Sequence, residues 1–140
     1  MAQPPFEILE HTADVGIVAH GASLEETFAN AATGMFAIMA DLDGVRPLEE
    51  RRIGVEGRDR EGLLVRWLTE LLYYVDAEEM LFSRFVVEEI GDRRLRARVW
   101  GERIDRERHR LHFGVKAVTR HMLEVSVEDG GYRAQVLFDI

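Results

Sequence analysis

Apolar residues recur with the period of a helix in two stretches of the chain. In residues 23–44 they are spaced three or four positions apart, which predicts an amphipathic helix; they are Leu24, Phe28, Ala31, Met35, Ile38 and Leu42. Ser23 and Glu26 form the capping box that begins this helix, and Gly44 is expected to end it. Asp59 caps a second predicted helix, whose buried face consists of Leu64, Trp67, Leu68, Leu71 and Val75.

Elsewhere the pattern follows the period of a β-strand. Short strands are predicted at residues 4–11, 15–21 and 51–57, and residues 112–121 are expected to be extended. The remaining strands belong to two predicted hairpins. The first covers residues 82–102 with its turn at Gly91-Asp92, and the second covers residues 121–140 with its turn at Asp129-Gly130-Gly131.

Each hairpin has one apolar face. In the first, Leu95, Ala97 and Val99 alternate with Arg94, Arg96 and Arg98. In the last strand of the second, Tyr132, Ala134, Val136 and Phe138 share a face. The chain is therefore predicted to be a single α+β domain, residues 1–140, with two main amphipathic helices on a largely antiparallel (mixed) β-sheet.

Composition narrows the class of protein. The chain is 46% hydrophobic and 31% charged, as in ordinary globular proteins. It has no apolar run of membrane-spanning length and no signal-peptide pattern at its N-terminus, so a cytoplasmic protein is expected. The absence of cysteine excludes disulfides, thiolate catalysis and cysteine–zinc sites.

The charge is unevenly distributed. A net charge of −8 argues against a general nucleic-acid-binding protein. Residues 93–110 nevertheless contain eight arginines and only three acids. Alternation places Arg94, Arg96 and Arg98 on the outer face of the sheet. A face that only contacts solvent is the favoured interpretation, and contact with RNA phosphates is the alternative.

A first candidate site follows the first strand, in "EHTADVG". His11 and Asp14 could bind a metal or act as a general acid/base pair, as in a metal-dependent phosphoesterase. The alternative is that their side chains satisfy backbone donors of the loop. "DLDG", with Asp41 and Asp43, fits a helix end better than a calcium loop.

A second candidate site is the end of the sequence, "FDI". Asp139 and the Ile140 carboxylate offer oxygen ligands that suit Ca²⁺, Mg²⁺ or Mn²⁺, and the alternative is a solvated terminus. If the first and last strands are parallel neighbours, Asp14, Asp139 and Ile140 meet at one sheet edge and form a cation site.

The chain has a single lysine, Lys116, flanked by apolar residues. A lysine in such a strand either binds a partner, such as a phosphate, or extends its ammonium group from a strand edge into solvent. The sequence favours neither interpretation.

Five segments together resemble the archease family over residues 6–140. They are "EHTADVGIVAHG", "SLEETFANAATGMFAIM", "LLVRWLTELLYYVDAEEMLFSRF", "VKAVTRHML" and "VLFDI". The match departs from the family at Arg120-His121, where an aromatic residue followed by histidine is common.

The resemblance implies a non-enzymatic accessory protein of the RtcB-type RNA ligase, the GTP- and manganese-dependent enzyme of tRNA splicing. Such a protein promotes ligase guanylation and multiple turnover. A chaperone-like effect on a tRNA methyltransferase, and hence indirect contact with tRNA, is also implied. The resemblance places a calcium-type site at Asp14, Asp139 and Ile140 and assigns Lys116, with His11, to ligase activation. A monomer or weak homo-oligomer is expected.

Overall fold

The structure, a computed structural model, describes residues 4–10 and 14–140. It contains two helices, Leu24–Met39 (α1) and Arg60–Glu78 (α2). Its eight strands are Phe6–Glu10 (β1), Asp14–Gly21 (β2), Glu49–Glu56 (β3), Met80–Ile90 (β4), Arg94–Arg103 (β5), Ala117–Val118 (β6), Glu124–Glu128 (β7) and Gly131–Asp139 (β8). The predicted α+β class, with two helices packed on antiparallel strands, is confirmed.

The strands form two sheets instead of the one predicted. The larger sheet has the order β1-β2-β8, and β6 and β7 share the second edge of β8. The smaller sheet has the order β3-β5-β4. Every pairing within the described residues is antiparallel, so the parallel component of the predicted mixed sheet is absent there. Helix α1 contacts both sheets, through β2 and β4.

Helix α1 begins where the sequence predicts and ends earlier. The Ser23 Oγ accepts a hydrogen bond from the Glu26 N–H at 3.1 Å, as expected for the cap. The helix stops at Met39 because Ala40 is extended and pairs with Leu111. The Met39 carbonyl therefore accepts the His112 N–H at 2.8 Å, and residues 42–44 form a separate 3₁₀ turn.

Helix α2 is joined to α1 through the core. The Asp59 carboxylate caps it by accepting the Gly62 N–H at 2.7 Å. Trp67 is fully buried, and its indole Nε1–H donates to the Phe28 carbonyl at 2.9 Å. This bond satisfies a buried donor and fixes the relative position of the two helices. None of the described helices is long and apolar enough to cross a membrane.

Candidate functional site

Asp14 and Asp139 lie directly opposite each other at one edge of the larger sheet. Asp14 is the first residue of β2 and Asp139 is the last of β8, and the two are register partners. Opposed residues of an antiparallel pair project to the same face with Cβ atoms about 5 Å apart. Their neighbours Val15 and Phe138 face the core, so the two carboxylates project from the opposite face.

The strand pairing proposed from the sequence is wrong. β1 and β8 run in the same direction, but β2 lies between them and pairs with both. Asp14 is also part of a strand instead of the preceding loop. The two carboxylates meet because β2 starts where antiparallel β8 ends.

Ile140 follows Asp139 and lies at the same edge. Its half-buried side chain packs against the hydrophobic core. It also lines a cavity of about 340 Å³, together with Ile8 and Phe113. The apolar contacts of Ile140 therefore hold its backbone beside the Asp14–Asp139 pair.

Strand β6 and its flanking residues form hydrogen bonds with the end of β8, on the edge opposite to β2. The Lys116 N–H donates to the Asp139 carbonyl at 2.8 Å, and the Thr119 N–H donates to the Leu137 carbonyl at 2.9 Å. The Lys116 side chain is exposed, which agrees with the edge-strand interpretation of this lysine. Its backbone is thus fixed next to Asp139 while its ammonium group can reach a partner.

The described donor atoms fit a hard cation. Two carboxylates placed directly opposite each other repel, and a divalent cation between them would offset that repulsion. Within residues 4–10 and 14–140, no group of three or more His, Asp or Glu side chains is placed to hold a metal. A cation at this place would thus have only the Asp14 and Asp139 side-chain carboxylates and the Ile140 carboxylate of the predicted site to hold it. His11, the fourth predicted site residue of this region, lies outside the described residues.

A contact between Asp41 and His112 lies near Ile140 and was not predicted. The His112 Nε2 is 2.6 Å from the Asp41 Oδ1, and His112 lines the same cavity as Ile140. The two residues are 71 positions apart, so no local pattern relates them. Their pairing follows from the contact of the 110–113 segment with the end of α1.

His20 lies on the same face of the larger sheet, at the opposite end from Asp14. Its Nδ1 is 2.7 Å from a Glu128 carboxylate oxygen, and its Nε2 is 2.8 Å from a Glu7 carboxylate oxygen. Both ring nitrogens must donate to satisfy two carboxylates, which requires the imidazolium form. Burial lowers the pKa of His20, but the bonds to Glu7 and Glu128 outweigh burial and raise it above 6.5. Arg133 is its cross-strand neighbour on β8.

This bridge predicts a pH-dependent stability. Because the pKa of His20 is raised on folding, its stabilising contribution is complete below about pH 6.5 and is lost as pH rises through the folded-state value. In urea unfolding of the wild type, the free energy of unfolding should fall as pH rises through this range. His20→Gln should abolish this pH dependence. The control is His121→Gln, an exposed histidine, which should keep the wild-type pH dependence.

The predicted outward placement of the hairpin arginines is confirmed, while their contact with RNA stays untested. Leu95, Ala97 and Val99 are buried, Arg94 and Arg96 are exposed, and Arg98 is half-buried. This face belongs to the smaller sheet and contains none of the predicted metal ligands.

Comparison with known proteins identifies the relatives of the chain. The model of the Archease protein family matches residues 6–140. "Protein archease" of Sulfurisphaera tokodaii is 42% identical over 137 residues, covering 96% of this chain and 98% of the relative. That of Methanothermobacter thermautotrophicus is 44% identical over 138 residues, with the same coverage.

Two solved structures have the same fold. The solution structure of protein 1598 of Methanobacterium thermoautotrophicum has a TM-score of 0.82 and 42% identity, covering 97% of this chain and 99% of that one. The crystal structure of a Thermotoga maritima protein, described as an archease and possible chaperone, has a TM-score of 0.64. It is 19% identical, with 100% and 98% coverage, so it supports the fold alone.

Proposed function

The chain belongs to the archease family, and on that premise we propose that it is a non-enzymatic, cytoplasmic accessory protein of an RtcB-type RNA ligase. In this role it promotes guanylation of the ligase during tRNA splicing and allows the ligase to turn over repeatedly. The observation that carries the proposal is the opposition of Asp14 and Asp139 at one end of the larger sheet.

The proposed metal ligands are Asp14, Asp139 and the Ile140 carboxylate. These all-oxygen donors suit Ca²⁺, with Mg²⁺ or Mn²⁺ as alternatives. When bound, the cation supplies a positive charge that can attract phosphate or carboxylate oxygens of the ligase complex. The chain itself contributes rigidity, because β2 and β6 hold the end of β8 from both sides.

Lys116 supplies a second positive group at the same edge. Its backbone is bonded to Asp139, so its position is tied to that of the proposed ligand. An exposed ammonium group on a flexible stem binds a phosphate as a point charge. It is therefore suited to meet a nucleotide phosphate, or an acidic ligase residue, when the edge docks at the ligase.

The proposal is tested with a cognate ligase, measuring guanylation and multiple-turnover ligation with and without the protein. Asp14→Asn and Asp139→Asn should weaken Ca²⁺ binding in calorimetry by about tenfold or more, the loss seen even for groups that only support metal ligands. Multiple turnover should fall to the level of the ligase alone. Lys116→Ala should impair activation while Ca²⁺ affinity stays close to that of the wild type.

The matched control is Asp76→Asn, which removes an exposed carboxylate from α2. It should leave both Ca²⁺ affinity and ligase activation unchanged. Full activation by the Asp14→Asn and Asp139→Asn variants would contradict the proposed role of the pair. Phosphoester turnover by the purified protein with metal alone would favour the phosphoesterase alternative, which uses His11 and Asp14.

A further inference from the structure

The outer face of the smaller sheet has a row of arginines along its central strand. Arg94, Arg96 and Arg98 project from β5 at alternate positions, about 7 Å from one to the next along the strand. The intervening residues are buried, so the row has a rigid base. The guanidinium groups are consequently presented in a line on the surface of a sheet.

A fourth arginine faces this row. Arg52 of β3 is the register partner of Arg98, so two cations occupy directly opposed positions on one face. Like charges in this arrangement repel, and an anion placed between them would relieve the repulsion. A cavity of about 230 Å³ lies at this place, lined by Arg52, Arg96 and Arg98 together with Glu88 and Ala97.

A second cleft lies at the other end of the row, around Gly54. It has a volume of about 640 Å³, and three arginines line it: Arg66, Arg94 and Arg96. Among the described residues other than its two chain neighbours, no atom lies within 4 Å of the position that a Cβ on Gly54 would occupy, so a ligand can approach the backbone there. Glu56 and Glu89 also line this cleft.

An aromatic ring extends the same face. Trp100, the next outward residue of β5, is half-buried. The guanidinium of Arg84 lies 4.6 Å from its ring centroid, and that of Arg98 lies 5.2 Å away. Trp100 thereby fixes the position of Arg98, which already belongs to the row, and of one further cation, Arg84, at its end.

Three glutamates partly neutralise these arginines. Arg96 bonds Glu89 at 3.0 Å, and Arg98 bonds Glu88 at 3.0 Å. Glu50 already lies near the opposed pair, with one carboxylate oxygen 3.6 Å from Arg52 and 4.0 Å from Arg98, but both distances are beyond hydrogen-bond range. Exposed ion pairs contribute little to stability, so a phosphate group can replace a carboxylate as the arginine's partner. Glu56 is the register partner of Arg94, but in the part of the chain that the structure describes no carboxylate lies within ion-pair distance of Arg84 or Arg94.

We infer that this face is a contact surface for the sugar-phosphate backbone of RNA. Planar guanidinium groups in a line fit a chain of phosphates, since each can bind phosphate oxygens in a bidentate manner. The net charge of −8 repels RNA from the rest of the protein, which restricts contact to this face. The choice of RNA over other polyanions rests on the proposed function, because the partner ligase acts on RNA.

The test is the binding of a short fluorescein-labelled single-stranded RNA to the protein alone, followed by anisotropy over a salt series. At about 50 mM salt, the triple variant Arg94→Gln/Arg96→Gln/Arg98→Gln should bind about tenfold or more weakly than the wild type. The slope of log affinity against log salt should become shallower by about 2, because single strands contribute about 0.7 for each phosphate contact. The matched control, Arg58→Gln/Arg106→Gln/Arg120→Gln, removes three exposed arginines elsewhere and should change affinity little.

A second variant gives an effect of opposite sign that loss of folding cannot produce. Glu88→Gln/Glu89→Gln removes the competing carboxylates and should strengthen RNA binding severalfold. Equal RNA affinity of the arginine triple variant and its control would overturn the inference. So would preferential binding of an acidic peptide, or of anionic vesicles, at these arginines. Guanylation of the ligase in the absence of RNA tests the proposed function separately, and the arginine triple variant should support it as the wild type does.

Discussion

Glu102→Gln is expected to lower the free energy of unfolding by about 2 to 3 kcal/mol, because it removes charge-assisted hydrogen bonds to a buried carboxylate whose arginine partners stay partly exposed. Only 5% of the residue is exposed, although it lies at the end of β5. A neutral amide at this position cannot replace the carboxylate, since its nitrogen would face donors instead of acceptors.

The carboxylate of Glu102 receives bonds from three residues. Its Oε1 accepts from Arg46 Nε at 3.1 Å and Nη2 at 3.0 Å, and its Oε2 accepts from the Arg46 backbone N–H at 2.8 Å. Oε2 also contacts the Arg108 guanidinium and His109 Nε2. Burial alone would raise the pKa of Glu102, but the bonds from Arg108, Arg46 and His109 hold it far below its usual range.

The network joins three segments, namely the turn after α1, the end of β5 and the 105–109 loop. His109 Nδ1 accepts the Asp105 N–H at 2.8 Å, so its Nε2 carries the proton and donates to Glu102. Arg108 also donates to the Gly44 carbonyl at 2.8 Å. Removal of the central carboxylate therefore loosens the turn after α1 and the 105–109 loop together.

Urea unfolding at neutral pH measures the effect. Glu107→Gln, which removes an exposed carboxylate from the same loop, is the control and should change stability by less than about 0.5 kcal/mol. Because the pKa of Glu102 is lowered on folding, its contribution is complete above about pH 4.5 and is lost at lower pH. The difference in free energy of unfolding between the wild type and Glu102→Gln should therefore shrink as the pH is lowered. A difference that stays constant down to acid pH would contradict an ionised Glu102.

Local features of the fold could be predicted from the sequence because their causes are local. Ser23 and Asp59 begin helices through bonds to residues three positions away. The alternation of Leu95, Ala97 and Val99 likewise required only the period of one strand. The end of α1 was mispredicted, since Met39 and Ala40 bond to residues about 70 positions further along the chain.

The candidate site was predicted in part for the same reason. The sequence pattern predicts that Asp14 and Asp139 each lie near the end of a strand. It does not predict that β2 lies between β1 and β8, because strand order depends on contacts between distant residues. His20 was missed because its partners, Glu7 and Glu128, are 13 and 108 positions away. A histidine inside the otherwise apolar "VGIVAHG" was the available signal, since a buried histidine requires polar partners.

Gly101→Ala is expected to destabilise the protein by at least about 3 kcal/mol, the upper range for forcing extra volume into a packed site. A Cβ at this position would lie 1.8 Å from the Leu81 carbonyl oxygen and 2.7 Å from the Phe82 Cα. Both are backbone atoms, so no side chain can rotate to make room. β4 and β5 would have to separate beside the bulge between Phe82 and Arg84.

The separation would also disturb the Glu102 network. Gly101 precedes Glu102, and its carbonyl accepts the Leu48 N–H at 3.0 Å, close to Arg46. The effects of Gly101→Ala and Glu102→Gln should therefore be less than additive in a double-mutant cycle, because both loosen the same contacts. Full additivity would indicate that the close approach of the strands and the carboxylate network are independent.

Gly54→Ala, in the adjacent strand of the same sheet, is the matched control. Apart from its chain neighbours, no described residue has an atom within 4 Å of the added Cβ, so the substitution should be neutral or stabilising by up to about 1 kcal/mol. Thermal and urea unfolding give the stability of both variants. The added methyl group is the same in each, but only at position 101 does it meet the backbone of another strand. A Gly101→Ala variant as stable as Gly54→Ala would mean that β4 and β5 do not approach this closely.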